Sequence, residues 1–285
     1  MAKDQVDNQP ELSLLRKIKL SASKKLNTTF VGEYHSAFKG FGLSFDAVRE
    51  YQYGDDVRSI DWNVSARMNH LYVKEYIEER ELSVVLMVDV SGSTEFGSRR
   101  SKRDLILEMS TLLLYLAQMN NDRITVILFS DRIERYIRPR KGKKFILQVL
   151  DEMVKCEPEG RKTDIGAAVD FASRVLKKRS VVFLLSDFLE KEENFMLKLR
   201  LLNRKHDIVP VQISDPMERE MKIFGLTEFV DLETGKTFLS DAVPEKGRMP
   251  DLQEFDVIRL RTDQPVETPL LHFFERRNRT RLTRS

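Results

Sequence analysis

The sequence contains a single cysteine and no long apolar run. Cys156 has no partner within the chain, so a framework of intrachain disulfides is excluded and a reducing compartment is favoured. The longest apolar stretches, such as residues 84–88, are far shorter than the roughly 20 residues that span a bilayer. Residues 1–20 carry no continuous apolar segment typical of a secretory signal. We therefore expect a cytoplasmic protein without an integral membrane span.

A large excess of charge of one sign is also missing. The chain has 48 Lys and Arg against 45 Asp and Glu, a formal net charge of +3, which argues against a general binder of polyanions. Charged residues make up 33% of the sequence, which predicts a heavily charged surface. At about 150 residues per domain, a chain of 285 residues suggests roughly two units with a core large enough to need no disulfides.

Apolar strands alternate with amphipathic helices between residues 81 and 215. We expect strands at residues 82–90, 124–130, 180–187 and 207–213, with helices at 99–120, 143–155, 164–178 and 194–205. The polar, alternating residues 133–138 predict an antiparallel edge strand, and Pro210 places its own strand near an edge or at a bulge. The pattern predicts a doubly wound, mostly parallel α/β sheet with helices on both faces.

The flanking regions are less regular. Residues 1–28 form a polar tail with a short helix predicted at 11–25. Residues 29–80, rich in glycine and in aromatics that alternate with polar residues, predict a small β-rich accessory segment. For residues 216–285 we expect a hairpin at 227–239, a strand within 253–260, a short helix at 269–277 and a basic, solvated tail.

Oxygen-bearing side chains cluster at the predicted carboxyl ends of the strands. The first strand ends in Asp89, with Ser91 and Ser93 in the turn that follows, and a later strand ends in Asp187. Thr163 precedes the helix predicted at 164–178. Ligands of open parallel sheets bind at this edge, and hard oxygen donors without thiolate or imidazole favour Mg²⁺ or Mn²⁺.

Such a donor set leaves a bound cation with residual positive charge and an open position. Ser91, Ser93 and Thr163 would ligate the ion directly, while Asp89 and Asp187 would act directly or through water. A carboxylate from another molecule could then complete the site. The alternative interpretation is an ordinary strand-to-helix turn with Ser93 as a helix N-cap.

These residues resemble a von Willebrand factor A domain with a metal-ion-dependent adhesion site. The match rests on the Asp89–Ser93 motif, on Thr163 and on Asp187, within residues 82–213. The flanks resemble the bacterial DUF58 family more specifically. The matching positions are Gly40, Gly42, Phe45, Arg49, Tyr51 and residues 54–62, 65–67, 71–74, 79–81 and 273–277.

The family resemblance implies a function that spacing alone does not. It implies a non-enzymatic, chaperone-like adaptor that works with a MoxR-type AAA+ ATPase and takes no small-molecule substrate. Many relatives begin with a transmembrane hairpin, which this sequence lacks, so at most a peripheral membrane contact is expected.

The segment at residues 54–62 is open to two interpretations. In the structural one, Asp55 or Asp56 caps a turn and an ion pair between Arg58 and Asp61 orients Trp62. In the functional one, Arg58, Asp61 and Trp62 form a partner surface, because Trp and Arg are enriched in binding hot spots.

Two other functions remain as alternatives. A metal-dependent phosphohydrolase could use the same Asp and Ser side chains, although Ser91 stands where phosphatases of the haloacid dehalogenase type need a second Asp. A nucleic-acid adaptor could use the Arg-rich tail, residues 276–284. Scattered histidines argue against zinc, and no strand-end histidine is available to activate a serine nucleophile.

Overall fold

A six-stranded sheet lies at the centre of the fold, which is known from a computed structural model. The structure describes residues 28–38, 43–78, 81–190, 192–220, 227–230, 232, 237–240 and 250–282. The helix predicted at residues 11–25 lies outside the described residues.

The described elements follow one another in the order of the chain. The helices are α1 Thr28–Phe38, α2 Trp62–Met68, α3 Lys102–Met119, α4 Lys143–Val154, α5 Ile165–Val175, α6 Glu192–Asn203, α7 Met217–Glu220 and α8 Glu267–Leu282. The strands are β1 Leu43–Glu50, β2 Tyr72–Glu78, β3 Ser83–Asp89, β4 Arg123–Phe129, β5 Ile133–Arg140, β6 Val181–Ser186, β7 Asp207–Ser214, β8 Thr227–Val230, β9 Thr237–Ser240 and β10 Ile258–Arg261. Short 3-10 turns span Val57–Ser59 and Gly92–Glu95.

The strand order of the central sheet confirms the predicted fold class. The order is β10-β7-β6-β3-β4-β5, in which β5 runs antiparallel to β4 and the other neighbouring strands pair in parallel. This is the order of a doubly wound sheet, whose direction of winding reverses on either side of β3. The predicted antiparallel edge strand is therefore correct, and β10, from well beyond residue 215, completes the other edge.

Buried side chains cover both faces of this sheet. One cluster joins alternate residues of the strands to α1, α3, α4 and α8, and the other joins the remaining alternate residues to α5 and α6. Strands such as β6, buried along their whole length, therefore have apolar side chains on both faces, which explains their continuous apolar sequences.

The expectation of a purely β-rich segment at residues 29–80 is wrong in part. The small antiparallel sheet β1–β2 is present, but α1 and α2 are helical. The apolar residues of α1 recur at helical spacing, and Tyr34 and Phe38 pack against Phe273 and Phe274 of α8 in the main core. The glycines and aromatic residues of this segment favoured a prediction of strands, although the apolar residues of α1 have helical spacing.

The place of Pro210 agrees with the prediction of a strand near an edge of the sheet. Its strand, β7, lies inside the sheet between β6 and β10. Pairing with β10 begins only at Val211, opposite Ile258, so the proline stands just before the shared ladder. Because β7 has no paired neighbour on that side at Pro210, the missing N–H breaks no ladder bond there.

The C-terminal elements agree with the predictions in kind. β8 and β9 form the expected antiparallel hairpin, and α8, at 16 residues, is longer than the helix predicted at 269–277. Arg276 pairs with Asp256 and Arg277 with Asp207, so these arginines of the predicted tail have structural partners. Within the described residues, no helix combines the length and the apolar character needed to cross a membrane.

Candidate metal centre

The parallel pairing of β3 with β6 brings two carboxylates to one edge of the sheet. Val88 of β3 lies opposite Leu185 of β6, so Asp89 and Asp187 follow at neighbouring strand ends. This edge is the point at which the winding of the sheet reverses, where α/β sheets bind ligands. Both side chains are 1% exposed.

The three predicted hydroxyl ligands also meet here. The Oγ atoms of Ser91 and Ser93 are 3.1 Å apart, and the Thr163 Oγ1 donates to Ser91 Oγ at 2.8 Å. Backbone bonds hold the two loops together, because Gly92 N–H donates to the Arg161 carbonyl at 2.8 Å. The sequence therefore folds so that the five predicted ligand residues come together.

The carboxylates are tied down by hydrogen bonds behind the hydroxyls. Asp89 accepts from the Ser91 N–H at 2.9 Å and from the Ser186 hydroxyl at 2.6 Å. Asp187 accepts from the Leu189 N–H at 3.2 Å through Oδ1, whereas its Oδ2 faces Lys102. Burial, and then the nearby charge of Asp187, raise the pKa of Asp89 above its ordinary value.

A buried lysine is the residue that sequence reasoning missed. The Nζ of Lys102 lies 2.8 Å from Asp187 Oδ2 and 2.5 Å from Glu218 Oε1, and its side chain is 1% exposed. Burial lowers the pKa of Lys102, but the charges of Asp187 and Glu218 outweigh that effect and raise it. In the sequence, Lys102 stands among other basic residues at the start of a helix, so nothing there marked it as buried.

Gly92 is fixed by close approach of the backbone. A Cβ at this position would lie 2.4 Å from the carbonyl oxygen of Leu232, which stands between β8 and β9, and 3.3 Å from that of Arg161. Both neighbours are backbone atoms, which cannot move aside as a flexible side chain could. The glycine thus lets the backbone of Leu232 lie against the loop that carries Ser91 and Ser93.

The capping residues separate structural roles from ligand roles. Asp164 caps α5, accepting from the Ala167 N–H at 2.7 Å. Ser101, rather than Ser93, caps the long helix α3 through a capping box with Asp104. The alternative interpretation of Ser93 as a helix cap is therefore wrong.

The chemistry of these donors fits a hard divalent cation. Three hydroxyl oxygens adjoin one another, and two carboxylates stand behind them with their oxygens already engaged, which suits ligation through water. No group of three or more His, Cys, Asp or Glu side chains suited to a metal occurs among the described residues. A site built mainly from hydroxyls does not depend on such a group, and the residues present would suit Mg²⁺ or Mn²⁺.

The second candidate site, in the accessory segment, has the predicted cap at Asp56 but not the predicted ion pair between Arg58 and Asp61. Asp61 caps α2 by accepting from the N–H groups of Asn63 and Val64, and its ion pair is with Lys74 at 3.7 Å. The predicted ion pair with Arg58 is not formed, and Asp56 caps the adjoining 3-10 turn. The side chain of Trp62 is 66% exposed.

Five large apolar side chains within residues 53–71 are exposed, and we term this set the accessory patch. Its members are Tyr53, Val57, Trp62, Met68 and Leu71. Exposed apolar side chains are typical of an interaction surface where they adjoin one another. Arg58 and Trp62 are thus both exposed, whereas Asp61 is occupied as a cap.

Comparison with known proteins supports the fold and identifies the family. An uncharacterized protein of Mycobacterium tuberculosis (strain ATCC 25618 / H37Rv) is 29% identical over 239 residues, covering 82% of this chain and 75% of the relative. The conserved hypothetical protein BatB from Bacteroides thetaiotaomicron superposes with a TM-score of 0.50 at 12% identity, covering 70% of this chain and 99% of that one. An aerotolerance-related membrane protein from Bacteroides fragilis gives the same TM-score and coverages at 15% identity.

Those structural likenesses concern the fold alone, and with the strand order they agree with the predicted von Willebrand A-like architecture. The family model for DUF58, a protein of unknown function, matches residues 47–250. The chain belongs to the DUF58 family.

Proposed function

We propose that this protein is a non-enzymatic module that binds a partner protein through a divalent metal, with Mg²⁺ as the physiological ion. The observation that carries the proposal is the contact of three hydroxyls, Ser91, Ser93 and Thr163, at the strand edge that holds two buried carboxylates. The hydroxyls would ligate the ion, and Asp89 and Asp187 would act through water.

The charges at the site favour a carboxylate as the missing ligand. The hydroxyls are neutral, and Asp187 shares its negative charge with Lys102, so the ion would keep part of its positive charge. An Asp or Glu side chain of a partner would neutralise that charge and fill the open position. Binding would then require the metal and the partner together.

The contacts of the serines support a binding role over catalysis. Ser91 Oγ hydrogen-bonds with the hydroxyls of Ser93 and Thr163, and the Ser91 side chain also contacts the Asp89 carboxyl. That carboxyl already accepts from the Ser91 N–H and from the Ser186 hydroxyl, so both of its oxygens are engaged in holding the loop, which suits a binding role better than activation of a nucleophile. The phosphohydrolase alternative would have to rely on metal-bound water alone.

The partner that we propose is a MoxR-type AAA+ ATPase in the bacterial cytoplasm. This choice rests on the family resemblance, and the accessory patch supplies a second exposed surface suited to a protein contact. We use the term metal edge for the carboxyl ends of β3 and β6 with Asp89, Ser91, Ser93, Thr163 and Asp187. In this arrangement the metal edge would bind a partner carboxylate, and the accessory patch would add apolar contact area.

The test uses the purified MoxR-type ATPase of the same organism. Immobilised wild-type protein should retain the ATPase in Mg²⁺ and release it in EDTA. The Thr163→Val variant, which keeps the side-chain shape but removes the hydroxyl, should retain at least tenfold less, whereas Thr163→Ser should behave like the wild type. Equal retention in Mg²⁺ and EDTA would contradict the proposal.

A further inference from the structure

A fully buried lysine adjoins the candidate metal centre, although lysine is among the residue types least often buried. Lys102 is 1% exposed, and its ammonium contacts Asp187 Oδ2 at 2.8 Å and Glu218 Oε1 at 2.5 Å. Phe96 lies beneath it, with the ring centroid 5.9 Å from Nζ. The side chain therefore ends among two carboxylates and one aromatic ring, one of the carboxylates being a predicted metal ligand.

The position of Lys102 would be unfavourable without those carboxylates. It is the first residue of α3, where the helix dipole places partial positive charge and repels a cation. Burial of an ammonium adds a large desolvation cost unless it is paired and hydrogen-bonded. Asp187 and Glu218 offset both costs, so the lysine and the two acids stabilise one another.

Lys102 also connects the metal edge to a different part of the chain. Asp187 follows β6, whereas Glu218 lies on α7, just after β7. The ammonium bridges these two carboxylates, and the Leu189 N–H occupies the other oxygen of Asp187. A divalent ion at Ser91 and Thr163 would therefore meet an Asp187 that already has a cation at its side.

Given the proposed metal site, we propose that Lys102 is a built-in counter-cation that weakens divalent-metal binding. Two positive charges that share one buried carboxylate repel each other strongly, because the surroundings screen them poorly. Glu218 moderates this repulsion by drawing part of the ammonium charge away from Asp187. The metal would then be held firmly only when a partner carboxylate adds its negative charge.

The experiment measures the dissociation constant for Mn²⁺, by electron paramagnetic resonance, and the melting temperature in EDTA. Lys102→Met should bind Mn²⁺ at least about tenfold more tightly than the wild type, because the repelling charge is gone. Glu218→Gln should bind several-fold more weakly, because the ammonium then acts on Asp187 alone. The matched control is Lys141→Met, which removes a lysine paired with Glu81 near the opposite end of β3 and should leave Mn²⁺ binding unchanged.

The opposite signs of the two variants separate this role from a merely structural one. Loss of packing would weaken Mn²⁺ binding in Lys102→Met and Glu218→Gln alike. If Lys102→Met does not fold in EDTA, the double variant Lys102→Met with Glu218→Gln removes one of the two carboxylates left without their lysine and should bind Mn²⁺ more tightly than Glu218→Gln alone.

The outcomes for the metal site and for the lysine can be told apart. Wild-type Mn²⁺ binding with no tighter binding in a folded Lys102→Met overturns the role of the lysine and leaves the metal site standing. Mn²⁺ binding by Lys102→Met, with none by the isolated wild type, supports the counter-cation, and the natural chain would then hold the ion only together with a partner carboxylate. Absence of binding in both overturns both.

Discussion

The metal edge and the accessory segment use burial in opposite ways. At the edge, Asp89, Lys102 and Asp187 are buried at 1% exposure, each with partners of its own. In the accessory segment, Trp62 is 66% exposed and Tyr53 lies entirely at the surface. Burial of a charged group lowers the stability of a fold, and exposure of a large apolar side chain forgoes the stability that its burial would add. Both arrangements depart from the usual distribution of residues, and both therefore indicate function. The first suits an ion and the second a protein surface.

The largest expected effect comes from removing one member of the buried ion pair. Asp187→Ala leaves Lys102 with Glu218 as its remaining carboxylate, so we expect about 3 kcal/mol of lost unfolding free energy. Urea denaturation of the wild type and the variant measures it. A loss below about 1 kcal/mol would mean that the edge resembles an exposed surface, and the contrast between the two regions would fail.

Another buried carboxyl group, Asp122, lies away from the metal centre and has hydrogen-bond donors but no paired lysine among its contacts with the described residues. It accepts hydrogen bonds from the Leu82 N–H and the Tyr34 hydroxyl, each at 2.9 Å. Burial raises its pKa to about 7, an effect that these bonds only partly offset. The folded protein thus retains a proton that the unfolded chain releases from about pH 4 upward, so this contribution to stability is lost as the pH rises toward 7.

Asp122→Asn keeps a neutral side chain at every pH and should remove that loss. We expect unfolding free energies equal to the wild type near pH 3, below the pKa of the unfolded side chain, and about 2 kcal/mol higher at pH 8. Urea denaturation at both pH values measures the difference. A variant that is less stable than the wild type at pH 8 would show that the ionised carboxylate is well compensated in the fold.

An aspartate in the accessory segment should matter less than either. Asp61 caps α2 and is partly exposed, so Asp61→Ala should cost about 1 kcal/mol of unfolding free energy. Because Asp61 belongs to the accessory segment, Mn²⁺ binding should stay at the wild-type level. Weaker Mn²⁺ binding in this variant would couple the two regions and break the comparison.

The smallest effect on stability is expected for the exposed aromatic side chains. Trp62→Ala and Tyr53→Ala should each change the unfolding free energy by less than about 0.5 kcal/mol. The same variants should weaken capture of the MoxR-type ATPase, because exposed aromatic residues commonly dominate binding. Unchanged capture, with correct folding shown by circular dichroism, would remove the accessory patch from the partner surface.

The sheet and the ligand residues were predictable because each depends on local sequence. Residues 181–185 are apolar throughout because both faces of the strand are buried, and the polar residues that follow stand at the carboxyl ends of the strands by topology. The turn at Asp89–Ser93 places its polar side chains within the same loop, and Thr163 reaches that loop from the connection between α4 and α5.

Lys102 and α1 were not predictable because long-range packing decides both. At the start of a helix, a lysine is ordinarily solvated, and its burial depends on Glu218, which is 116 positions further on in the numbering of the chain. The apolar face of α1 finds its partner in Phe273 and Phe274 near the other end of the sequence. The burial of Lys102 leaves no pattern in the sequence, and the apolar spacing of α1 does not indicate which distant residues it packs against.

Titration of the isolated protein with Mn²⁺ tests the central claim most directly, comparing the wild type, Thr163→Val and Thr163→Ser. The account predicts one Mn²⁺ site in the wild type and in Thr163→Ser, displaced by Mg²⁺, with at least tenfold weaker binding in Thr163→Val, because the hydroxyl is a direct ligand. Equal Mn²⁺ affinity in Thr163→Val and Thr163→Ser, with both variants folded, would contradict a metal centre at this edge of the sheet.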